Sequence, residues 1–526
     1  MFDSHNYRAQ FAIGLILLSS IGALASDTKK ASAPAKPAAT KPAAKPAGGS
    51  AAATTHNGPS ANAGAAKTGP TANGPTANGV KTATPSAAVT ANGGNAGNRA
   101  TTKTNAPSAL HDPSRNASQR PANVGISGRP APTGGVSQRL KGGNAVQHRP
   151  GGGLSDVHDA KRGMDIHHGL NGGRRVSVER ADHSRIVAER GHPGYVQRSY
   201  SFHGHDFAQR TYSYNGRVYQ NYYRGAYYRG VSINVYAPVR YYPAGFYGWA
   251  YHPWGAPVAF AWGFGGAPWY GYYGGYFTPY PVYPNASLWL TDYMISSDLA
   301  AAYEAGREAG NLAPADQAVN TAVMTSEVKQ MIADEVRSQI ALENADGQQV
   351  QRNLDPDPAS TGIPRMMGDG QRHVFVVGAP LDVVDDGGTE CALSEGDALR
   401  MTSPPPPDAA AVSLVVLSSK GSHECPKSVV VTVAVADLQE MQNHMRQSID
   451  RGLAELRDKQ GKGGLPVAPP SATAAPTETA FAAVAPPPDP NDGSAIELQQ
   501  KVADQSEQDI TRQAQLEAVP APNGAY

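Results

Sequence analysis

Alternation of apolar and polar positions becomes regular near residue 195, and from there it predicts strands, then helices, then strands again. Two Tyr-rich runs, DFAQRTYSY and RVYQNYY, flank Asn215-Gly216, and an Asn-Gly pair between β-formers predicts a hairpin. The next run sets Val231, Ile233 and Val235 against Ser232, Asn234 and Tyr236, which predicts a third strand and a small meander. Leu288, Thr291, Ile295, Leu299 and Tyr303 then fall near helical spacing from Ser287, a helix expected to pack back onto the preceding segment. A second helical stripe, Val328, Met331, Ile332, Val336 and Ile340, runs from about Ser326 to Glu343 and is closed by Pro356 and Pro358.

From His373 the pattern returns to short strands: HVFVV, LDVVD, TECAL, ALRMT, VSLVVLS and VVVTVAV, divided by turns such as Asp386-Gly387-Gly388 and Ser394-Glu395-Gly396-Asp397. Five or six strands within roughly 65 residues suit a small barrel better than an open sheet. Asp437 with Glu440 three residues on predicts a capped helix start, followed by Leu438, Met441, Met445, Ile449, Leu453 and Leu456 until Gly461, Gly463 and Gly464 end it. That stripe either packs on the barrel or forms a two-stranded coiled coil, giving a possible dimer through 437–460.

Between the first strands and the first helix lies a segment unlike an average domain. All five tryptophans and all 24 tyrosines except Tyr7 and Tyr526 lie between Tyr195 and Tyr303, and Tyr241 to Thr291 holds no Lys, Arg, Asp or Glu. Gly or Pro interrupts YGWAYHPWGAPVAFAWGFGGAPWYGYYGGYFTPYPVYP every few residues, so no helix is expected in it. Rings with an apolar face and a polar tip suit sugars, aromatic partners or a core of their own.

The chain's net charge of +1 conceals a division. Residues 1–250 carry 29 Lys and Arg against 10 Asp and Glu, and residues 251–526 carry 16 against 34. Such asymmetry implies that the front half meets anionic material, that the back half pairs with it, or that both only solvate. Phe11 to Ala25, FAIGLILLSSIGALA, follows Arg8 and ends in Ala23-Leu24-Ala25, the pattern of a cleaved secretory signal peptide. Residues 26–175, with APAKPAATKPAAKPAGGS and TGPTANGPTANG, read as a disordered basic Ala/Pro/Gly-rich tether. No later segment is long and apolar enough to span a membrane.

The candidate contact set for a glycan or other partner is Trp249, Trp254, Trp262, Trp269, Tyr212, Tyr214, Arg217, Arg224 and Arg229. Ring faces would meet sugar faces and arginines acidic groups, in envelope or extracellular polysaccharide or peptidoglycan. A self-associating matrix or adhesive segment is the alternative, and single-strand nucleic-acid binding is disfavoured by export. His203 and His205, alternate residues on an expected strand, are the weak candidates for a metal. Cys391 and Cys425, the chain's two cysteines, are expected to form a disulfide in an exported module. The contrary reading makes Cys425 a thiol nucleophile served by His423 or His373, in an envelope hydrolase. Walker loops, GxGxxG after a strand, HExxH, GxSxG and paired CxxC are all missing, so no enzyme activity and no cofactor are expected.

Cys391-Ala392-Leu393-Ser394-Glu395-Gly396-Asp397, leading into Ala398 to Thr402, resembles the turn and strand of bacterial SH3-like barrels, which often bind peptidoglycan or peptides. The signal peptide, the Ala/Pro/Lys tether and YYRGAYYRGVSINVYAPVRYYP make the whole similar to uncharacterised exported bacterial proteins with a Tyr/Gly/Pro-rich centre. The expected fold is mainly β with long disordered segments. Its parts are a signal peptide (1–25), the tether (26–175), a Tyr/Trp/Gly-rich β unit with a terminal helix (195–310) and a helical spacer (324–355). An SH3-like barrel with an amphipathic helix (371–462) and a Pro/Ala linker with a weak helical tail (463–526) follow. The expected function is non-catalytic binding or structure in the periplasm, cell envelope or medium.

Overall fold

The computed structural model describes residues 128–312, 323–406, 409–420 and 423–518. Ten strands come first: β1 (Val136–Arg139), β2 (Ala145–His148), β3 (Leu154–Asp159), β4 (Met164–His168), β5 (Arg174–Glu179), β6 (Arg185–Glu189), β7 (Gly194–Phe202), β8 (His205–Tyr214), β9 (Arg217–Tyr228) and β10 (Val231–Ala237). Each pairs antiparallel with the next, so the expected three-strand meander is the last part of a ten-stranded sheet. The predicted hairpin is present, with Asn215 and Gly216 both at positive φ and Tyr214 paired to Arg217. His203-Gly204 and Arg229-Gly230 make the same kind of two-residue turn.

Residues 136–175 therefore do not belong to a disordered tether, because β1 to β4 and the start of β5 lie within them. Each strand supplies only one or two apolar residues, and Gly-rich turns separate them. Val146, Val157, Met164, Ile166, Val176, Val178, Ile186, Ala188 and Val196 nevertheless form one buried cluster. Across the same strands, Gln147, Asp156, His167, Arg175 and Glu189 stand opposite one another in register. Opposite charges on facing strands support the ladder at about 0.2–1 kcal/mol a pair. The signal peptide and residues 26–127 of the tether lie outside the described residues.

After β11 (Arg240–Tyr241) the aromatic segment does hold helices, α1 (Ala244–Tyr251) and α2 (Pro268–Tyr273), with a short 3-10 turn before α3 (Ala286–Ala309), because Pro243 and Pro268 stand at the helix starts, where proline is tolerated. Asn285 caps α3 by accepting from the Leu288 amide at 3.0 Å, and Gly310 ends it in the left-handed region. α4 (Ser326–Val350) outlasts its predicted end and is part of the core, with Val328, Ile332, Val336 and Ile340 buried against the aromatic rings, so it is no spacer. Two short helices follow, α5 (Pro358–Thr361) and α6 (Ile363–Gly368).

The predicted C-terminal strands all form: β12 (Val374–Val376), β13 (Leu381–Asp385), β14 (Glu390–Leu393), β15 (Ala398–Met401), β16 (Ala411–Ser418) and β17 (Val430–Ala434). They pair in the order β12-β15-β16-β17-β13-β14, with β12 and β14 as the outer strands of a six-stranded antiparallel sheet. α7 (Val435–Lys459) follows without a break, starting two residues before the predicted cap. Asp437 does not cap it, because its carboxylate takes the Arg129 guanidinium at 2.9 and 3.0 Å. Leu438 and Met441 enter the core of the six-stranded sheet, while Met445, Ile449, Leu453 and Leu456 enter the aromatic core. The stripe is consumed inside the chain, so it is not free to form the coiled-coil dimer considered for 437–460. Gly452 lets α7 approach α3 closely, since a Cβ there would lie 2.5 Å from Leu290.

The Pro/Ala stretch is also part of the fold. Leu465, Ala468 and Ala472 are buried in the aromatic core, and β18 (Thr477–Glu478) pairs with β11. α8 (Ala480–Ala483) then brings Phe481 onto Phe207 at 5.0 Å between ring centres. α9 (Asp492–Ala518) lies across the apolar face of the ten-stranded sheet through Ile496, Ala503, Ile510 and Ala514.

Candidate functional site

The charge-free block folds around rings. Phe264, Trp262, Trp289 and Tyr293 form a column with successive centroid separations of 5.4, 5.1 and 5.5 Å and interplanar angles of 18°, 21° and 16°. Trp289 is fully buried at its centre. Tyr242, Phe246, Tyr247, Tyr276, Phe277 and Tyr283 fill the space around it, with α3, α4 and α7 as the wall.

Asp292, the first charged residue after the block, folds back into it. Its carboxylate accepts from the Tyr283 hydroxyl (2.7 Å), the Tyr280 amide (2.6 Å) and Lys329 Nζ (3.0 Å). Lys329 also donates to the Thr278 carbonyl at 2.7 Å and sits 3.7 Å from the Tyr280 ring centre. Burial pushes the Asp292 carboxyl up and the Lys329 amine down, and the mutual contact opposes both shifts. Trp262 Nε1 donates to Tyr283 Oη at 2.7 Å, so a chain of bonds runs from the surface tryptophan to this ion pair.

Beside that chain the block opens into a groove of ≈ 300 Å³, walled by Phe260, Trp262, Phe264, Tyr270 and Tyr280 and floored by Gly263, Gly265, Pro279 and Pro281. No charged side chain lines it. The polar tips of Trp262 and Tyr280 are engaged with protein, the latter through a 2.9 Å bond to the Ser326 carbonyl. Burial pushes the Tyr280 phenol up to about 12, helped by Asp292, Glu327 and Asp334. Two flanking polar tips, the Tyr270 hydroxyl and the Trp269 indole N–H, engage no partner among the described residues.

No family model, curated protein or solved structure matches the chain. The site must be judged from its own chemistry.

The nine residues expected to form one contact surface are dispersed. Trp262 lines the groove and Trp269 packs on Phe264 at 4.9 Å, but Trp254 is buried and Trp249 stacks on it at 5.8 Å as core. Tyr212 lies between Tyr195 (5.1 Å, tilted by 53°) and Tyr219 (4.9 Å, stacked) on β7 to β9, and the Tyr214 hydroxyl donates to the Gly191 carbonyl. Arg224 is buried and donates to the Pro356 carbonyl, Arg229 donates to Ala409, and only Arg217 stands exposed.

The charge division is resolved within the chain. Arg129 pairs with Asp437, Arg149 with Asp382 and Glu390, Arg174 with Glu507, Arg198 with Asp492, and Arg210 with Glu440, each front cation on a back-half acid at 2.6–2.9 Å. His167 lies between Asp156 (2.9 Å) and Asp382 (3.2 Å). Burial lowers its pKa, but the two carboxylates outweigh that and raise it to about 9.

His203 and His205 do not share a strand face, because His203 occupies the β7–β8 turn at φ 50° and pairs with Asp355 at 3.1 Å. Among the described residues no group of three His, Cys, Asp or Glu is placed to hold a metal ion. Cys391 and Cys425 are bonded to each other, with Cα atoms 4.9 Å apart. Cys425 therefore carries no thiol, and His373 is held by Glu335 (2.8 Å) and Asp369 (3.0 Å). No described helix is long and apolar enough to cross a membrane. Sequence reasoning missed Phe260, Phe264, Tyr270 and Tyr280 as the groove's walls. The available signal was Asp292, a lone acid closing a charge-free block.

Proposed function

We propose that this is a non-catalytic, envelope-associated or secreted binding protein whose groove takes the apolar faces of a polysaccharide or peptidoglycan strand. The observation that carries the reading is the uncharged, open groove whose ring faces are fixed from behind by the Trp262–Tyr283–Asp292–Lys329 chain. Rigid rings lose little entropy on contact, and the free tips of Tyr270 and Trp269 offer hydrogen bonds to hydroxyl groups. Two of the three arginines of the expected surface, Arg224 and Arg229, are engaged in intramolecular contacts, which favours a neutral stretch of glycan over an acidic one. Export rests on the signal-peptide pattern of residues 1–25, and the resemblance of Cys391 to Thr402 to SH3-like barrels belongs to the same reading.

The test is retention of the full chain on purified peptidoglycan and on neutral envelope polysaccharide. Tyr270→Ala removes a groove ring that makes no buried hydrogen bond, and binding about tenfold weaker is expected, equivalent to about 1.4 kcal/mol for one stacked ring. Equal retention of Tyr270→Ala and the unaltered protein defeats the groove as the glycan site. Sedimentation of large assemblies without any glycan favours the matrix alternative.

A further inference from the structure

We propose that Lys420 and Asp397 condense into an intramolecular amide, Nζ to Cγ, which fastens the open end of the β15–β16 hairpin. The inference is independent of the glycan reading, since neither residue lines the groove. Three observations carry it. The first is position: Ala398 at the start of β15 pairs with Ser418 at the end of β16, and Asp397 and Lys420 stand just beyond that pair. Lys420 Nζ reaches Asp397 Oδ1 at 2.7 Å, with the Asp397 side chain fully buried and that of Lys420 only 6% exposed. The ring centre of buried Tyr276 lies 5.4 Å from Nζ, and its hydroxyl bonds the Gly396 carbonyl (2.9 Å) and Ser418 Oγ (3.1 Å). The pair is therefore shut away from bulk water.

The second observation is how the reacting atoms are held. Nζ also donates to the Glu395 carbonyl at 2.7 Å, and the Ser394 amide donates to Asp397 Oδ2 at 2.8 Å. Groups so fixed behave as if at very high concentration, and the Ser394 N–H stands where a tetrahedral intermediate gathers negative charge. The third is a proton carrier. Glu424 Oε1 lies 3.8 Å from Nζ, and its carboxylate is anchored by Ser394 Oγ and the Lys420 amide. Burial and then Glu424 push the Asp397 carboxyl up, with Lys420 opposing, which favours the acid form that an amine can attack. Burial lowers the Lys420 amine, but Asp397 and Glu424 outweigh it, so the nucleophile needs a base beside it. In the step, one proton passes from Nζ to Oδ1 and a second to Glu424 as Nζ attacks Cγ. The Cγ–Oδ1 bond then breaks, Glu424 returns its proton, and Oδ1 leaves as water while the Cγ–Nζ amide remains. Nothing is oxidised or reduced, and no outside reactant is needed. Two charges that are costly to bury give way to one neutral amide.

The test is tryptic digestion of the full chain, after the Cys391–Cys425 disulfide is reduced and its thiols capped, read by mass spectrometry. The expected product is a branched peptide in which residues 373–400 are joined to residues 401–427, uncut at Lys420 and lighter by one water than the two pieces together. Glu424→Gln keeps the shape of the carrier without its basicity and should yield residues 373–400 and 401–420 as separate peptides. Lys420→Arg keeps the cation and the cleavage point and should do the same. Recovery of only the separate peptides from the unaltered chain overturns the bond, whatever the variants do. A branched peptide that persists in Lys420→Arg overturns the assignment to Lys420, and one at undiminished yield in Glu424→Gln overturns Glu424 as the proton carrier.

Discussion

The ten-stranded sheet and the aromatic block are both built from short, Gly-punctuated pieces of chain, yet they are held by opposite means. In the sheet the backbone carries the order: each strand pairs with the next, one or two apolar residues per strand meet α9, and the other face is a charge ladder. It joins the rest of the molecule through ion pairs of Arg129, Arg149, His167 and Arg210 and through Ile233 and Val235 of β10, which enter the core of the six-stranded sheet. From Tyr242 to Tyr283 the block has two short helices and an isolated bridge between Val258 and Tyr283, and its order comes from ring area. An ion pair, Asp292–Lys329, is buried at its edge. Large rigid side chains can replace regular secondary structure where every ring finds another to pack on, because each buries about 150–250 Å².

The sharpest way to break that comparison is to remove one ring. Trp289→Ala is expected to cost about 3–5 kcal/mol, the range for deleting a large buried aromatic, because it empties the centre of the column. Denaturant midpoints measure it, and the loss should not depend on salt. In the sheet, Arg149→Met is expected to cost less, roughly 2–3 kcal/mol, since it strands Asp382 and Glu390 at a junction that water partly reaches. A tryptophan variant less destabilised than the arginine variant would show that the rings are not the main support.

Titration sharpens the contrast at a smaller energy. Burial raises Asp346 and Asp450, near Arg446, to about 6 each, with Arg446 opposing the rise. A carboxyl whose folded pKa lies above its unfolded value stabilises fully below that unfolded value, and the contribution is lost as pH rises through about 6. His167, raised to about 9, contributes fully below about 6.5, and that support is lost as pH rises through about 9. Asp437 runs the other way: burial raises it, Arg129 overrides that and holds it low, so its contribution fails as pH falls. Unfolding followed across pH should therefore show a step on the order of 2 kcal/mol between about pH 4 and 7 that Asp450→Asn diminishes. A separate step in the alkaline range should vanish in His167→Gln.

How much of this was legible in the chain follows the same division. Six C-terminal strands, the Asn215-Gly216 hairpin and the three long helices from Ser287, Ser326 and Asp437 stand close to where periodicity and turn residues put them, because each element's own residues specify it. The strands from Val136 to Glu179 are not legible because one or two apolar residues in a strand of four to six give too little periodicity against Gly-rich turns. Contacts distant in sequence were the other loss. Asp437 reads locally as a cap, and nothing near it announces Arg129, 308 residues away. The nine contact candidates were chosen as rings and cations in one stretch. Packing then decided between Trp262, which faces a groove, and Trp254, which fills the core.

The smallest expected effect tests whether ring stacking supports the sheet as well. Tyr195, Tyr212 and Tyr219 stand in register across β7, β8 and β9, and the last two are nearly parallel, with an interplanar angle of 4°. Tyr219 is 42% exposed at the end of this row, so its ring stacks on one side and meets solvent on the other. Tyr219→Ala should cost about 0.5–1.5 kcal/mol, the worth of one aromatic pair, against the much larger loss at Trp289. Tyr219→Phe should cost almost nothing, since the stacked area is kept. If the phenylalanine variant is as unstable as the alanine one, the hydroxyl and not the ring face holds that corner.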